Sequence, residues 1–200
     1  MKKIFINAAF TLVVLLFCVS LKAQQDYVVT FTGDTLYGKI KKPLLDAFKF
    51  QEKGKKESTS ITPEAYTEYY RAKDSIHYVA VMLPGASKSQ FLERVVYGKI
   101  QMFVKVTNSP GAMGPGVTMT AGYSTASWYA GFNTNQLLEI KTSGLWGSRS
   151  KREKNFDSLI SSYPELLEDF KKEKDFSFEM LKSYIRKYNY YYEHIKKEAE

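Results

Sequence analysis

The sequence predicts an α+β fold: a mostly antiparallel or open barrel-like sheet of about eight to ten short strands, then two or three packed C-terminal helices. Three observations carry this. From Tyr27 to Lys141, β-branched and aromatic residues recur in short runs between Gly, Pro and Asn punctuation. From Ser150 onward the apolar period changes from about two residues to about 3.6. A hydrophobic share of 44% beside 25% charged residues is that of a globular chain rather than a disordered one.

The first strands follow from local chemistry. Tyr27–Thr32 and Thr35–Ile40 flank Gly33-Asp34, a tight-hairpin signal. Ala47–Gln51 and Lys56–Ile61 form a second hairpin across residues 52–55. Thr62-Pro63-Glu64 offers a hydroxyl cap, a proline at the first helical position and an acid in the first turn, so a short helix ending near Tyr70 is expected. Ser75–Leu83, Gln90–Tyr97 and Lys99–Val106 are further strands. Ile100, Met102, Val104 and Val106 share one face of the last, and Phe103 breaks the alternation. Residues 108–122 hold Gly111, Gly114, Gly116 and Gly122, a long loop or bulged edge. Ser127–Phe132 and Gln136–Lys141 close the β region as a hairpin.

The helices announce themselves through caps and stripes. Ser150 and Glu153 stand at capping-box spacing, and Phe156, Leu159, Ile160 and Tyr163 follow on one helical face. Pro164 opens a second helix with Leu166, Leu167 and Phe170 inward. Ser177 caps a third, whose stripe runs through Leu181, Tyr184, Ile185, Tyr188, Tyr192 and Ile195.

The N-terminus sets the expected location. Met1-Lys2-Lys3 followed by an apolar run from Ile4 to Leu21, ending at Leu21-Lys22-Ala23, has the layout of a secretory signal peptide cut after Ala23. An uncleaved anchor is the alternative. Lipoprotein acylation at Cys18 is disfavoured by Phe17 before it. The organisation expected is a signal peptide over 1–23, an antiparallel β domain over 24–149 and a helical segment over 150–200. The chain would be exported, to the periplasm, the envelope or the exterior. Its mature form would lack cysteine and any transmembrane span.

The strand–Gly33-Asp34-Thr35–strand order with Gly38-Lys39-Ile40, then Thr62-Pro63-Glu64, Gly98-Lys99-Ile100, Tyr163-Pro164-Glu165-Leu166 and Lys187-Tyr188-Asn189, resembles uncharacterised exported proteins of Bacteroidetes-type bacteria. The resemblance implies export and the same fold class, and no chemistry. Tyr-Gly-Lys-Ile occurs at 37–40 and again at 97–100, which suggests two similar turns arising separately rather than a duplicated unit.

Catalytic and metal chemistry find little purchase. Two histidines and one cysteine cannot build a zinc finger, a haem site or a disulfide framework, and no cofactor is expected. Gly122-Tyr123-Ser124-Thr125-Ala126 only approximates a nucleophile elbow, with no long helix after Ser124. His77 is expected as a half-exposed strand residue and His194 on the polar side of the last helix. Glu64/Glu68 and Glu165/Asp169 lie four apart on expected helices, where such carboxylates are usually solvated. No catalytic or metal-binding residue is therefore assigned.

Binding is better supported. Within a chain of net charge +8, the segment from Lys39 to Lys56 holds seven lysines against Asp46 and Glu52. Lys39, Lys41, Lys42, Lys53, Lys55 and Lys56 are candidate contacts for an anionic envelope component, although lysines on sheet edges also block aggregation. Tyr190 and Tyr191 fall off the apolar stripe of the last helix and are candidates for a second, aromatic contact. The expected function is a non-catalytic binding module whose partner is an anionic envelope component or another envelope protein, not nucleic acid. A carboxylate-dependent hydrolase or a subunit of a larger envelope assembly are the alternatives.

Overall fold

A computed structural model of the protein describes residues 25–43, 47–109, 122–144 and 147–196. Residues 1–24, where the signal peptide is expected, and most of the Gly-rich stretch lie outside these. Ten strands make one antiparallel sheet: β1 Asp26–Thr30, β2 Thr35–Lys41, β3 Lys49–Glu52, β4 Thr59–Ser60, β5 Tyr66–Arg71, β6 Ile76–Val81, β7 Gln90–Val96, β8 Gln101–Ser109, β9 Tyr123–Gly131 and β10 Leu138–Thr142. Three helices follow, α1 Arg149–Ile160, α2 Pro164–Lys172 and α3 Phe178–Tyr191, and a π-helical turn at Tyr192–Lys196 continues α3. The fold is α+β, as the residue pattern predicts.

The spatial order β10-β9-β8-β7-β6-β5-β1-β2-β3-β4 contains one irregularity. The chain meanders outward from β1 to β4, returns to pair β5 with the free edge of β1, then meanders the other way. Asp26 fixes that junction. Its Oδ2 accepts the Ile40 N–H at 2.7 Å and its Oδ1 the Ala72 N–H at 2.8 Å, so one carboxylate ties β1 to the chain on both sides.

Apolar burial divides into three clusters. Helices α1–α3 close the largest, setting Phe156, Ile160, Leu181, Ile185 and Tyr188 against Val96, Ile100, Met102, Ala130 and Ile140. Val79, Val81, Leu92 and Phe103 build a second with Leu83 and Leu137 from the connecting loops. Phe103 breaks the alternation of β8 because its neighbour Met102 belongs to the first cluster and Phe103 to the second: the sheet is covered on both faces there. Val106, further along β8, is exposed. The third cluster, Val28, Phe50, Ile61 and Tyr69, lies at the end of the sheet away from α1–α3.

Four local expectations are corrected. No helix forms over 62–70. A single turn closes on the Thr62 carbonyl, and Tyr66–Arg71 then pairs with β1 and β6, where Tyr69 and Tyr70 are buried on the sheet. The first hairpin loop spans Phe31–Asp34 rather than Gly33-Asp34 alone. The cap of α1 is Ser148, whose hydroxyl accepts the Lys151 N–H, and Ser150 lies inside the helix. The two Tyr-Gly-Lys-Ile copies are not two similar turns. Residues 37–40 are the interior of β2, whereas 97–100 form the β7–β8 connection.

Both glycines of that sequence are required, for different reasons. A Cβ on Gly38 would lie 2.1 Å from the Gln51 carbonyl oxygen, because β3 crosses β2 there at close range. Gly98 has φ +139°, and a Cβ would strike the Asn189 side chain. Asn189, the buried polar residue of α3, accepts the Ile100 N–H through Oδ1 at 2.7 Å. It donates through Nδ2 to the Ile100 carbonyl at 2.9 Å and the Tyr97 carbonyl at 3.2 Å. One side chain thus satisfies the backbone of the turn on which the helix rests.

Candidate functional site

The lysine candidates lie on and around the β2–β3 hairpin. Lys39 and Lys41 alternate with Leu36 and Ile40 along β2, so the period of two puts the ammonium groups outward and the aliphatic chains toward Phe50. Lys53 and Lys55 sit in the turn region after β3. A groove of about 570 Å³ runs between them, lined by Lys39, Lys53, Lys55, Asp26, Gly38 and Glu52 among others. Gly38 leaves its floor without a side chain.

The groove's acids are engaged. Asp26 is occupied by two backbone N–H groups. Glu52 pairs with Lys55 at 2.6 Å and raises the pKa of that ammonium through a hydrogen bond and its charge. Among the described residues, no side-chain partner meets Lys39 or Lys53. These two cations, with Lys55 beside them, are what the groove offers a ligand. The other candidates fall outside its lining. Lys41 reaches the Gln51 amide oxygen at 3.4 Å, Lys42 stands over the Phe48 ring, and Lys56 is exposed on the rim.

Tyr190 and Tyr191 belong to a different groove, between α2 and α3. Tyr191 is half-buried and stacks on Tyr163 with ring centroids 3.8 Å apart. Tyr190 is 62% exposed and stacks on His194. The two predicted contacts therefore fall on two separate surfaces.

A polar cluster that sequence spacing did not reveal lies on the sheet itself. The register aligns Tyr37, Tyr27, Tyr70 and His77 across β2, β1, β5 and β6. Beside this row, the Glu68 carboxylate meets Arg94 across both oxygens, with contacts of 3.2 Å and 3.1 Å. Its Oε1 also lies 3.1 Å from His77 Nδ1 and accepts the Tyr27 hydroxyl at 3.3 Å. Burial, then the Glu68 charge, push the Tyr27 phenol from 10.0 up to about 12. Arg94 spans the carboxylate as a bidentate partner. With both Glu68 oxygens taken, the arrangement anchors four strands. The signal that could have exposed it is parity: Glu68 and Tyr70, like His77 and Val79, occupy like-facing positions once 66–71 is a strand.

The remaining candidates are dispersed. Ser124 lies exposed in β9 opposite Asn108, while Glu165 and Asp169 are exposed on α2. Among the described residues, no group of three or more His, Cys, Asp or Glu has the arrangement of a metal site. No described helix is long and apolar enough to cross a membrane. Comparison of the chain with protein-family models, curated proteins and solved structures gives no match in any of the three.

Proposed function

We propose that the protein is an exported binding module of the bacterial envelope, and that it holds an anionic envelope component against the β2–β3 hairpin. The observation that carries this reading is the pair of ammonium groups, Lys39 and Lys53, that meet no side-chain partner among the described residues and line, with Lys55, a groove whose acids are already bonded. Several lysines around one groove attract an anion over roughly a Debye length, about 8 Å at physiological salt. The exported location rests on the leader-like residues 1–23 and on the resemblance to Bacteroidetes-type exported proteins.

A salt series of co-sedimentation with isolated cell envelopes tests this. The protein should pellet at low salt and be released as salt rises, and Lys39→Glu/Lys53→Glu should abolish pelleting while circular dichroism stays unchanged. Binding indifferent to both salt and substitution would overturn the lysine site. That outcome would favour the second reading, a subunit of an envelope assembly, for which the exposed Tyr190 and Ile195 of the α2–α3 groove are the motivating surface.

A further inference from the structure

A second basic site lies at the opposite end of the molecule. Lys141 at the end of β10, Arg149 and Arg152 in the first turn of α1, and Lys174 between α2 and α3 line one cavity of about 320 Å³. Three separate chain segments thus deliver four cations to one space, against a single lining acid, Asp175. We infer that this cavity binds a phosphate-class dianion, as inorganic phosphate or as the phosphomonoester of a small molecule or lipid.

The donors left over after internal bonding fit that chemistry. Lys141 donates one hydrogen bond to the Phe176 carbonyl and keeps two of its three N–H groups. The ion pair of Arg149 with Glu153 engages its Nε at 2.7 Å, leaving the terminal nitrogens of the fork. Arg152 makes a looser pair with Glu139, at 3.5 Å. Lys174 meets no side-chain partner among the described residues. Phe176 braces the wall, with Lys141 and Arg149 both near its ring, 5.3 Å and 5.4 Å from the centroid. Asp175 stands exposed at the edge of the cavity. Hydrogen bonds from Ser177 and the Phe176 N–H, aided by the Lys141 charge, lower its carboxyl pKa, so it stays ionised and tempers the site. Guanidinium forks and ammonium groups approaching from several sides suit a tetrahedral dianion better than a planar carboxylate.

Calorimetric titration of the protein with inorganic phosphate, at ionic strength held constant with chloride, tests the inference. Saturable binding is expected. Arg149→Gln and Lys174→Gln should each weaken it about tenfold, the usual worth of a charge-assisted hydrogen bond. Asp175→Asn, which keeps an oxygen to accept the Phe176 N–H, should tighten binding about threefold, a gain that a purely structural role would not produce. Lys39→Glu/Lys53→Glu should leave phosphate binding unchanged, which separates this site from the hairpin groove. Glycerol phosphate and vesicles containing phosphatidic acid, run as parallel arms, distinguish a soluble ligand from a lipid headgroup. Absence of saturable binding in all three arms, or equal binding by the Arg149 and Lys174 variants, would overturn the proposal.

Discussion

The two ends of the sheet are stabilised in different ways. At the β7–β10 end, residues from the last quarter of the chain return to cover strands laid down long before, and burial of large side chains such as Phe156, Ile185 and Met102 holds them. At the β1–β4 end, no helix among the described residues arrives. Short hairpins, ring contacts such as Tyr27 on Tyr37 at 6.0 Å, and the Asp26 clip do the work instead. The Tyr-Gly-Lys-Ile pair shows the contrast in miniature. At 37–40 the glycine admits a neighbouring strand, and at 97–100 it admits a helix side chain. Identical residues therefore serve opposite tasks because the chain brings a different neighbour to each.

The strongest way to break this contrast is Asn189→Ala. It leaves the buried Ile100 N–H and carbonyl without partners, and each orphan costs about 1–3 kcal/mol, so a loss of about 3 kcal/mol is expected. In a Trp146→Phe background, Trp128 on β9 reports the helix-covered end, and urea unfolding should show a lowered midpoint. An unchanged midpoint would refute the role given to Asn189.

Gly38→Ala should act at the other end alone. Forcing a methyl group against the Gln51 carbonyl costs about 2 kcal/mol. Exchange of the Phe50 and Gln51 amides should therefore quicken about thirtyfold while the Trp128 transition stays in place. If both probes shift together, the two ends are one cooperative unit.

The smallest effect sharpens the comparison through pH. Because the folded state raises the Tyr27 phenol from 10.0 to about 12, the stabilisation is whole below pH 10 and is lost as pH rises through 12. Tyr27→Phe should remove that part of the alkaline loss, which thermal melts between those values would read. An unaltered alkaline slope would count against the Tyr27–Glu68 contact.

Much of the fold was legible in the residues. The hairpins, the three helices and the Ser177 cap follow from patterns within a dozen residues. The failure at 62–70 is instructive. Thr62-Pro63-Glu64 is a valid helix start, but Tyr69 and Tyr70 gain more as buried strand residues than a lone short helix could offer. The lysine groove was half legible, since its charge is local while its shape depends on Gly38 meeting β3. Glu68, His77, Arg94 and Tyr27 could not be grouped from spacing, because register alone joins them. The basic cavity was hidden because three of its four cations lie in residues 142–200, which are nearly neutral as a whole, so only the fold reveals which charges converge with Lys141.

The late position of the helices has a consequence for synthesis. Met102 leaves the ribosome well before Tyr188, and at about 5–20 residues per second the interval is roughly 4–17 seconds. Through that time the apolar side of β7–β10 has formed or is forming with nothing to lie against it, while the β1–β5 end already holds every residue of its own small cluster. A nascent chain stalled or truncated before α3 would carry an exposed greasy wall on an otherwise finished sheet. Hydrophobic surface exposed at that stage makes the partly made chain prone to aggregation.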